Sequence, residues 1–140
     1  MATPKWKQAE RDFEGFFAQH GKGAAVFRLT DTAAAKATGG KGAFVAAQPS
    51  DYICVVDGQW FFAEVKSTTD RTSFHFSNIR KGQIAASRRT VAAGGTYLFF
   101  VKSEELEQWY CIPASVIHTT LRAKKSMTWN ELEPYKYAVS

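Results

Sequence analysis

The stretch "PSDYICVVDGQWFFAEVKST", residues 49–68, decides the fold because it contains a turn between two β-rich runs. Asp57-Gly58 is a strong hairpin signal, since a type I′ turn needs two residues that tolerate positive φ. With these two residues as the loop, Asp51 falls directly opposite Glu64 across the hairpin. A longer loop or a bulge would shift one strand and separate the two acids.

Side chains alternate between the faces of a strand, so Lys66 shares a face with Glu64. Both faces of the predicted hairpin are otherwise rich in aliphatic and aromatic residues, and we expect a central hairpin that is covered on both sides. Two like charges opposite each other destabilise a sheet, and buried carboxylates need a cationic partner. Lys66 supplies one positive charge, and a divalent ion with a preference for oxygen ligands, Mg²⁺ or Mn²⁺, would supply more.

A simpler interpretation of the same residues remains open. Glu64 and Lys66 would form a solvated ion pair at a strand end, with Asp51 as a turn residue. The protein would then be a plain α/β domain without a metal site.

Length and composition restrict the possible classes of protein. At 140 residues, with 45% apolar and 14% aromatic residues, we expect a single domain spanning residues 1–140. No apolar run approaches the roughly 20 residues that span a bilayer, and the N-terminal residues do not resemble a signal peptide, so we expect a cytoplasmic protein. The net charge of +5 favours an anionic partner, with nucleic acid first.

Apolar periodicity predicts a first helix over residues 6–20, with Glu10 inside its apolar stripe and Glu14 on the flank. An acid in a buried stripe is either an edge residue or a functional group aimed at the sheet. The remaining elements are a strand at 24–30, a mobile loop or short stalk at 31–48, the hairpin, a helix from Ser77 or Asn78 to Ala93, and strands at 96–103 and 108–113. Residues 118–140 form a tail of uncertain structure. This order predicts an α/β fold, a mixed central sheet flanked by helices.

An acid in a first helix, then an Asp, then Glu-x-Lys on the next strand resembles the pattern of the PD-(D/E)xK nucleases, which have the restriction-endonuclease-like fold. Here the pattern reads Glu10, then Pro49-Ser50-Asp51, then Glu64-Val65-Lys66. "QAERDFEGFFAQHG" (8–21) followed by "VFR" (26–28) resembles the archaeal Hjc-type Holliday junction resolvases. Residues 74–117, from "FHFSNIRKGQ" to "CIPASVI", are similar to the second half of the bacterial RecU resolvases.

This resemblance implies a Mg²⁺-dependent endodeoxyribonuclease, with Mn²⁺ able to substitute, from a bacterium or a phage. Asp51, Glu64 and the carbonyl of Val65 would hold the metal, and Glu10 would reach in from the helix. Lys66 would position the attacking water or stabilise the transition state, and Gln83 matches an active-site glutamine on the helix that follows.

The implied substrate is a four-way DNA junction, cut in paired fashion by a homodimer, with branched DNA as the partner and no membrane. The predicted phosphate contacts are basic residues, for which the alternative role is that of solvated surface charges: Arg28, Lys36, Lys41, Arg71, Lys81, Arg88 and Arg89. Two alternatives stay open: another PD-(D/E)xK repair or restriction-like nuclease, and a non-catalytic DNA-binding module of the same fold.

Overall fold

The structure is a computed structural model that describes residues 3–29 and 48–138. The predicted loop or stalk, with Lys36 and Lys41, lies outside the described residues apart from Gln48.

The central hairpin forms in the predicted register. Asp57 and Gly58 both have positive φ, 52° and 82°, as a type I′ turn requires. Val56 pairs with Gln59, and the ladder continues in step to the pair Tyr52–Ala63. Every residue of the two strands therefore lies on the face that the sequence predicts.

The strands of the described residues are β1 Ala24–Arg28, β2 Tyr52–Val56, β3 Gln59–Thr68, β4 Ser73–His75, β5 Tyr97–Ser103, β6 Gln108–Pro113, β7 Ser126–Thr128 and β8 Lys136–Tyr137. The hairpin, β2 and β3, sits inside a six-stranded mixed sheet in the order β1-β2-β3-β5-β6-β8, and β4 pairs with β7 in a separate two-stranded sheet. The pairing of β3 with β5 is parallel, and the other pairs in the large sheet are antiparallel.

Helix α1, Lys5–Phe16, covers one face of the sheet. Its Phe13 is fully buried and contacts the rings of Tyr52 and Phe100, with centroids 4.9 and 4.8 Å away. The prediction that this helix continues to residue 20 is wrong, because the chain tightens into a 3₁₀ segment from Ala18 to Gly23. The shorter helix still carries the acids at positions 10 and 14.

Helices α2, Lys81–Ala92, and α3, Ala114–Leu121, pack against the opposite face. The predicted start of α2 at Ser77 or Asn78 is wrong, since residues 76–78 form a separate 3₁₀ turn. Arg80 is the residue that precedes the helix, and its backbone N–H donates to the Gln83 side chain at 3.1 Å. The side chain of Gln83 is thereby used to cap its own helix.

The prediction of a hairpin covered on both faces is also wrong near its tip. Val55 and Trp60 are 36% and 48% exposed, and Phe27 on β1 is 59% exposed. Strand pairing puts all three on the same face as Glu64. The helices on this side cover only the half of the sheet that contains β5 and β6.

The segment 118–140, which the sequence left unplaced, is described as far as residue 138 and packs against the large sheet. It contributes the last turn of α3, then β7 and the short edge strand β8. Trp129 and Leu132 are buried in the same core as β5 and β6. In the described part of the chain, no helix combines the length and the apolar character that crossing a bilayer would need.

Candidate functional site

Asp51 and Glu64 are joined by two reciprocal contacts between side chain and backbone. The backbone N–H of Asp51 donates to Glu64 Oε1 at 2.9 Å, and the N–H of Val65 donates to Asp51 Oδ2 at 2.9 Å. These hydrogen bonds are available because Asp51 directly precedes β2 and faces the middle of β3. One oxygen of each carboxylate, Glu64 Oε1 and Asp51 Oδ2, is held in this way.

Lys66 lies beside the fully buried Glu64. The distance from Lys66 Nζ to Glu64 Oε2 is 3.2 Å, and the lysine side chain is 18% exposed. Glu64 Oε2 nevertheless has no hydrogen bond of acceptable geometry among the described residues, so this contact is an ion pair with an unsatisfied oxygen. A buried carboxylate oxygen in this state can accept a further cation.

The electrostatics of the pair favour uptake of a proton when no cation is present. Burial, and then the charge of Asp51, raise the pKa of Glu64 to about 7, although Lys66 opposes the shift. Burial also raises the pKa of Asp51, against the lowering effect of the Val65 N–H. Desolvation is the largest cause for both carboxyls, and the like charge of Asp51 adds to it for Glu64.

Glu10 reaches the same end of the sheet from the helix that covers the opposite face. It is 8% exposed, and its Oε1 lies 2.5 Å from Arg28 Nη2. Burial, followed by the charge of Asp51, raises its pKa, while Arg28 opposes the rise. Glu14 is farther out, at 3.9 Å from Arg28 Nη1, and accepts a hydrogen bond from the Tyr52 hydroxyl at 2.9 Å. Glu10 is therefore the helix acid that faces the candidate site.

These acids do not form a complete three-residue metal cage in this arrangement. Within residues 3–29 and 48–138, no group of three or more acidic, histidine or cysteine side chains is close enough together to hold an ion. What the site offers is two oxygen ligands from Asp51 and Glu64, with Glu10 held back by Arg28. Two carboxylates, each with one oxygen outside these backbone hydrogen bonds, fit a hard divalent cation that keeps several of its waters, as Mg²⁺ does.

Two hydroxyl groups hold the loop that carries Asp51, and sequence reasoning did not identify one of them, that of Tyr97. The Tyr97 hydroxyl donates to the Pro49 carbonyl at 2.5 Å, and the buried Ser50 hydroxyl donates to the Tyr52 carbonyl at 2.7 Å. Tyr97 is itself almost completely buried on β5. A single buried tyrosine in an aromatic strand gives no signal for this role, since its contact depends on the parallel pairing of β3 with β5.

A cleft of about 2090 Å³ opens over these residues, between the first turns of α1 and the length of α2. This volume exceeds the roughly 300–1,000 Å³ of small-molecule sites and suits a macromolecular strand. Gln83 lines the cleft, with its side-chain oxygen turned to the backbone of Arg80. Sequence reasoning also missed three other cleft residues, Trp6, Lys7 and Arg80.

The predicted basic residues fall into two groups. Arg28 and Arg89 line the cleft, and Arg28 is engaged by the helix acids. Arg71 lies outside it, 81% exposed and 3.6 Å from Glu105. Lys81 and Arg88 are exposed on α2 but do not line the cleft.

Comparison with known proteins gives a family match over most of the chain. The family model described as Recombination protein U matches residues 26–140. The Holliday junction resolvase RecU of Limosilactobacillus reuteri is 36% identical over 66 residues, which cover 47% of this chain and 32% of that protein. The RecU of Leuconostoc mesenteroides is 28% identical over 99 residues, covering 69% and 48%. The chain thus aligns with half or less of the length of these curated relatives.

Comparison with solved structures supports the fold. The chain resembles Hjc, a Holliday junction resolvase from Archaeoglobus fulgidus, with a TM-score of 0.59 and 15% sequence identity, over 92% of this chain and 93% of that one. The predicted mixed sheet flanked by helices, in the restriction-endonuclease-like arrangement, is confirmed. The α1 helix lies outside the residues that the family model matches.

Proposed function

Since this chain belongs to the RecU family, we propose that it is a metal-dependent endonuclease that resolves four-way DNA junctions. The observation that carries the proposal is the pairing of Asp51 with Glu64 beside Lys66, in a cleft large enough for DNA. The names of the relatives, Holliday junction resolvase, give the substrate class that we carry over to this chain. The net charge of +5 suits a polyanionic substrate.

We assign the metal ligands to the carboxylates of Asp51 and Glu64, with the Val65 carbonyl as the third protein ligand. The support is the buried Glu64 Oε2, which has no hydrogen bond among the described residues, and the pKa of both carboxyls, which burial raises and a bound cation would lower. The cation is Mg²⁺, with Mn²⁺ as a substitute, because all of these donors are oxygens. When bound, such an ion lowers the pKa of a water molecule and withdraws charge from the scissile phosphate.

The residues of the chain then have separate tasks. Lys66 is held by Glu64 at the floor of the cleft and directs its ammonium group towards the phosphate or the attacking water. The Val65 N–H holds the Asp51 carboxylate in place. Gln83 lies on the opposite wall and can contact the substrate with its amide nitrogen while its oxygen caps α2.

Glu10 becomes a further ligand for the metal when its ion pair with Arg28 is broken. The charge of Asp51 already acts on Glu10, and both residues line the cleft. Arg28 is 56% exposed and is able to exchange a carboxylate for a DNA phosphate, since guanidinium binds both in the same bidentate way. Entry of the DNA backbone would thus free Glu10 for the metal, directly or through water.

A junction has two symmetry-related strands to cut, and we propose a two-fold homodimer. The uncovered apolar face made by Phe27, Val55 and Trp60 is the surface that we assign to the second copy. DNA is a poor occupant, because the face is apolar and ends at the acidic turn residue Asp57. An isologous interface joins the same patch of both copies, and an exposed apolar patch is a suitable one to bury in this way.

A labelled synthetic junction, incubated with and without Mg²⁺ beside a linear duplex of the same sequence, tests the proposed function. We expect symmetric paired cuts in the junction only when Mg²⁺ is present, and an intact duplex. Equal cutting of both substrates would remove junction specificity and favour another nuclease of the same fold. Binding without cutting, at every metal concentration, would indicate a non-catalytic DNA-binding module.

A further inference from the structure

Trp6 is an exposed aromatic residue in a place where the sequence predicts burial. Its side chain is 53% exposed, although it belongs to the apolar stripe whose other members include the buried Ala9 and Phe13. The ring lines the large cleft together with Glu10, Asp51 and Lys66. An exposed tryptophan on the wall of a cleft that otherwise contains acids and bases lacks a packing explanation.

The position of Trp6 is fixed relative to the acids. It lies four residues before Glu10, so the two side chains share a face of α1, one turn or roughly 6 Å apart along the axis. Lys5 and Lys7 flank it, both exposed, and Lys7 Nζ lies 5.4 Å from the centre of the indole ring. Aromatic rings interleaved with cations are the usual means of holding a nucleic-acid strand whose bases are accessible.

We propose that Trp6 stacks on a nucleobase at the branch point of the DNA, while Lys5 and Lys7 contact the adjacent phosphates. This inference rests on the proposed function and adds to it the means by which branched DNA is distinguished from duplex. In a continuous duplex both faces of each base are already covered by its neighbours, so the indole ring finds no free face. At a branch point a base is unstacked or terminal, and it can be covered by an aromatic side chain.

The test compares DNA binding by the full chain and its Trp6→Ala and Trp6→Phe variants, without divalent metal, on a four-way junction and on a linear duplex. We expect Trp6→Ala to weaken junction binding by about 5- to 100-fold, the range for loss of one stacked base, and to leave duplex binding unchanged. Trp6→Phe should retain most of the affinity. Leu106→Ala is the matched control, because Leu106 is 52% exposed and lies away from the cleft.

A second readout reports stacking directly. A 2-aminopurine placed at the branch point should be quenched by the wild-type chain and not by Trp6→Ala, whereas the same base within an arm should show no difference. The inference is overturned if Trp6→Ala binds the junction as tightly as the wild type, loses junction and duplex affinity equally, or changes the oligomeric state instead. In each of these cases wild-type cutting of the junction would leave the proposed function intact, whereas a wild type that neither prefers nor cuts the junction would overturn the proposed function itself.

Discussion

Arg28 Nη2 lies 2.5 Å from Glu10 Oε1, so the first strand and the first helix are joined by an ion pair at the mouth of the cleft. The arginine is more than half exposed, whereas the carboxylate is buried. The ion pair therefore stabilises the ionised form of Glu10 more than that of Arg28. Without the pair, Glu10 would be a buried charge with no compensating partner, whereas Arg28 would still be solvated.

This asymmetry predicts the effects of removing each partner. Arg28→Met should lower the free energy of unfolding by about 1–3 kcal/mol, because it leaves a buried acceptor without a partner. Adding Glu10→Gln should recover part of that loss, and urea denaturation of the two single variants and the double variant measures the coupling. Arg71→Met is the control, because the Arg71 side chain is 81% exposed and its ion pair with Glu105 should contribute little to stability. Strict additivity of Arg28→Met and Glu10→Gln would show that the two residues act independently.

Asp51→Asn should abolish metal-dependent cutting, with a loss of about 100-fold or more. The reason is that the neutral amide lacks the negative charge that binds the cation. Junction binding should persist or improve, since a negative charge facing the phosphates is removed. The measurement is cleavage and binding of one labelled junction in parallel. Asp57→Asn makes the same chemical change at the far end of the hairpin and should alter neither property. If binding and cutting by Asp51→Asn fell together, Asp51 would have a structural role.

The raised pKa of Glu64 predicts how stability and activity depend on pH. Its pKa of about 7 in the folded protein exceeds the ordinary 4.5, so the folded state binds this proton more tightly than the unfolded state. The resulting stabilisation is present below pH 4.5 and is lost as the pH rises through about 7. Without metal, the melting temperature should therefore fall between about pH 5 and 8. Cutting should rise over the same interval, because the metal needs the ionised carboxylate.

Glu64→Gln is the variant that isolates this effect. Its melting temperature should vary less with pH than that of the wild type, and it should not cut. Addition of Mg²⁺ should raise the melting temperature of the wild type at pH 8 and have no such effect on Glu64→Gln. An unchanged pH dependence in the variant would assign the titration to another group.

Tyr97→Phe tests the support beneath the Asp51 loop. Loss of the hydroxyl removes its hydrogen bond to the Pro49 carbonyl and should cost about 1 kcal/mol of stability. Metal affinity and cutting should fall about 10-fold, as for other residues that orient metal ligands. Isothermal titration with Mn²⁺ measures the affinity. Tyr110→Phe, the same change on β6, should leave the affinity as it is.

The apolar face predicts the oligomeric state. Trp60→Glu would put a charge into the proposed interface and should convert a dimer into a monomer, as measured by sedimentation. Leu106→Glu, an equally exposed position elsewhere, should have no effect. A wild-type chain that sediments as a monomer at all concentrations would contradict the assignment of this face.

The parts of the fold that the sequence predicts are those encoded by neighbouring residues. The Asp57-Gly58 turn and strict alternation are enough to place Asp51 opposite Glu64. The start of α2 is predicted wrongly because Ser77 and Asn78 are residue types that favour the N-cap position. In the structure Arg80 occupies that position, and its backbone N–H donates to the side chain of Gln83.

Features that depend on distant parts of the chain are not predictable in this way. The pairing of Glu10 with Arg28 depends on how α1 is placed relative to the end of β1, and the exposure of Trp6 depends on the helix beginning at the mouth of the cleft. Strand β8 has only two residues, and its pairing with β6 contributes no recognisable pattern to the sequence.

The turn at Asp57-Gly58 sets the register of the two carboxylates, although it lies far from both of them. It lies six residues, or about 20 Å of extended chain, from Asp51. Inserting a single amino acid there would rotate one whole strand by half a turn and send Glu64 to the opposite face, although no catalytic side chain had been replaced. Natural variation in loop length should therefore be tolerated at almost any other surface bend of this protein before it is tolerated at this one.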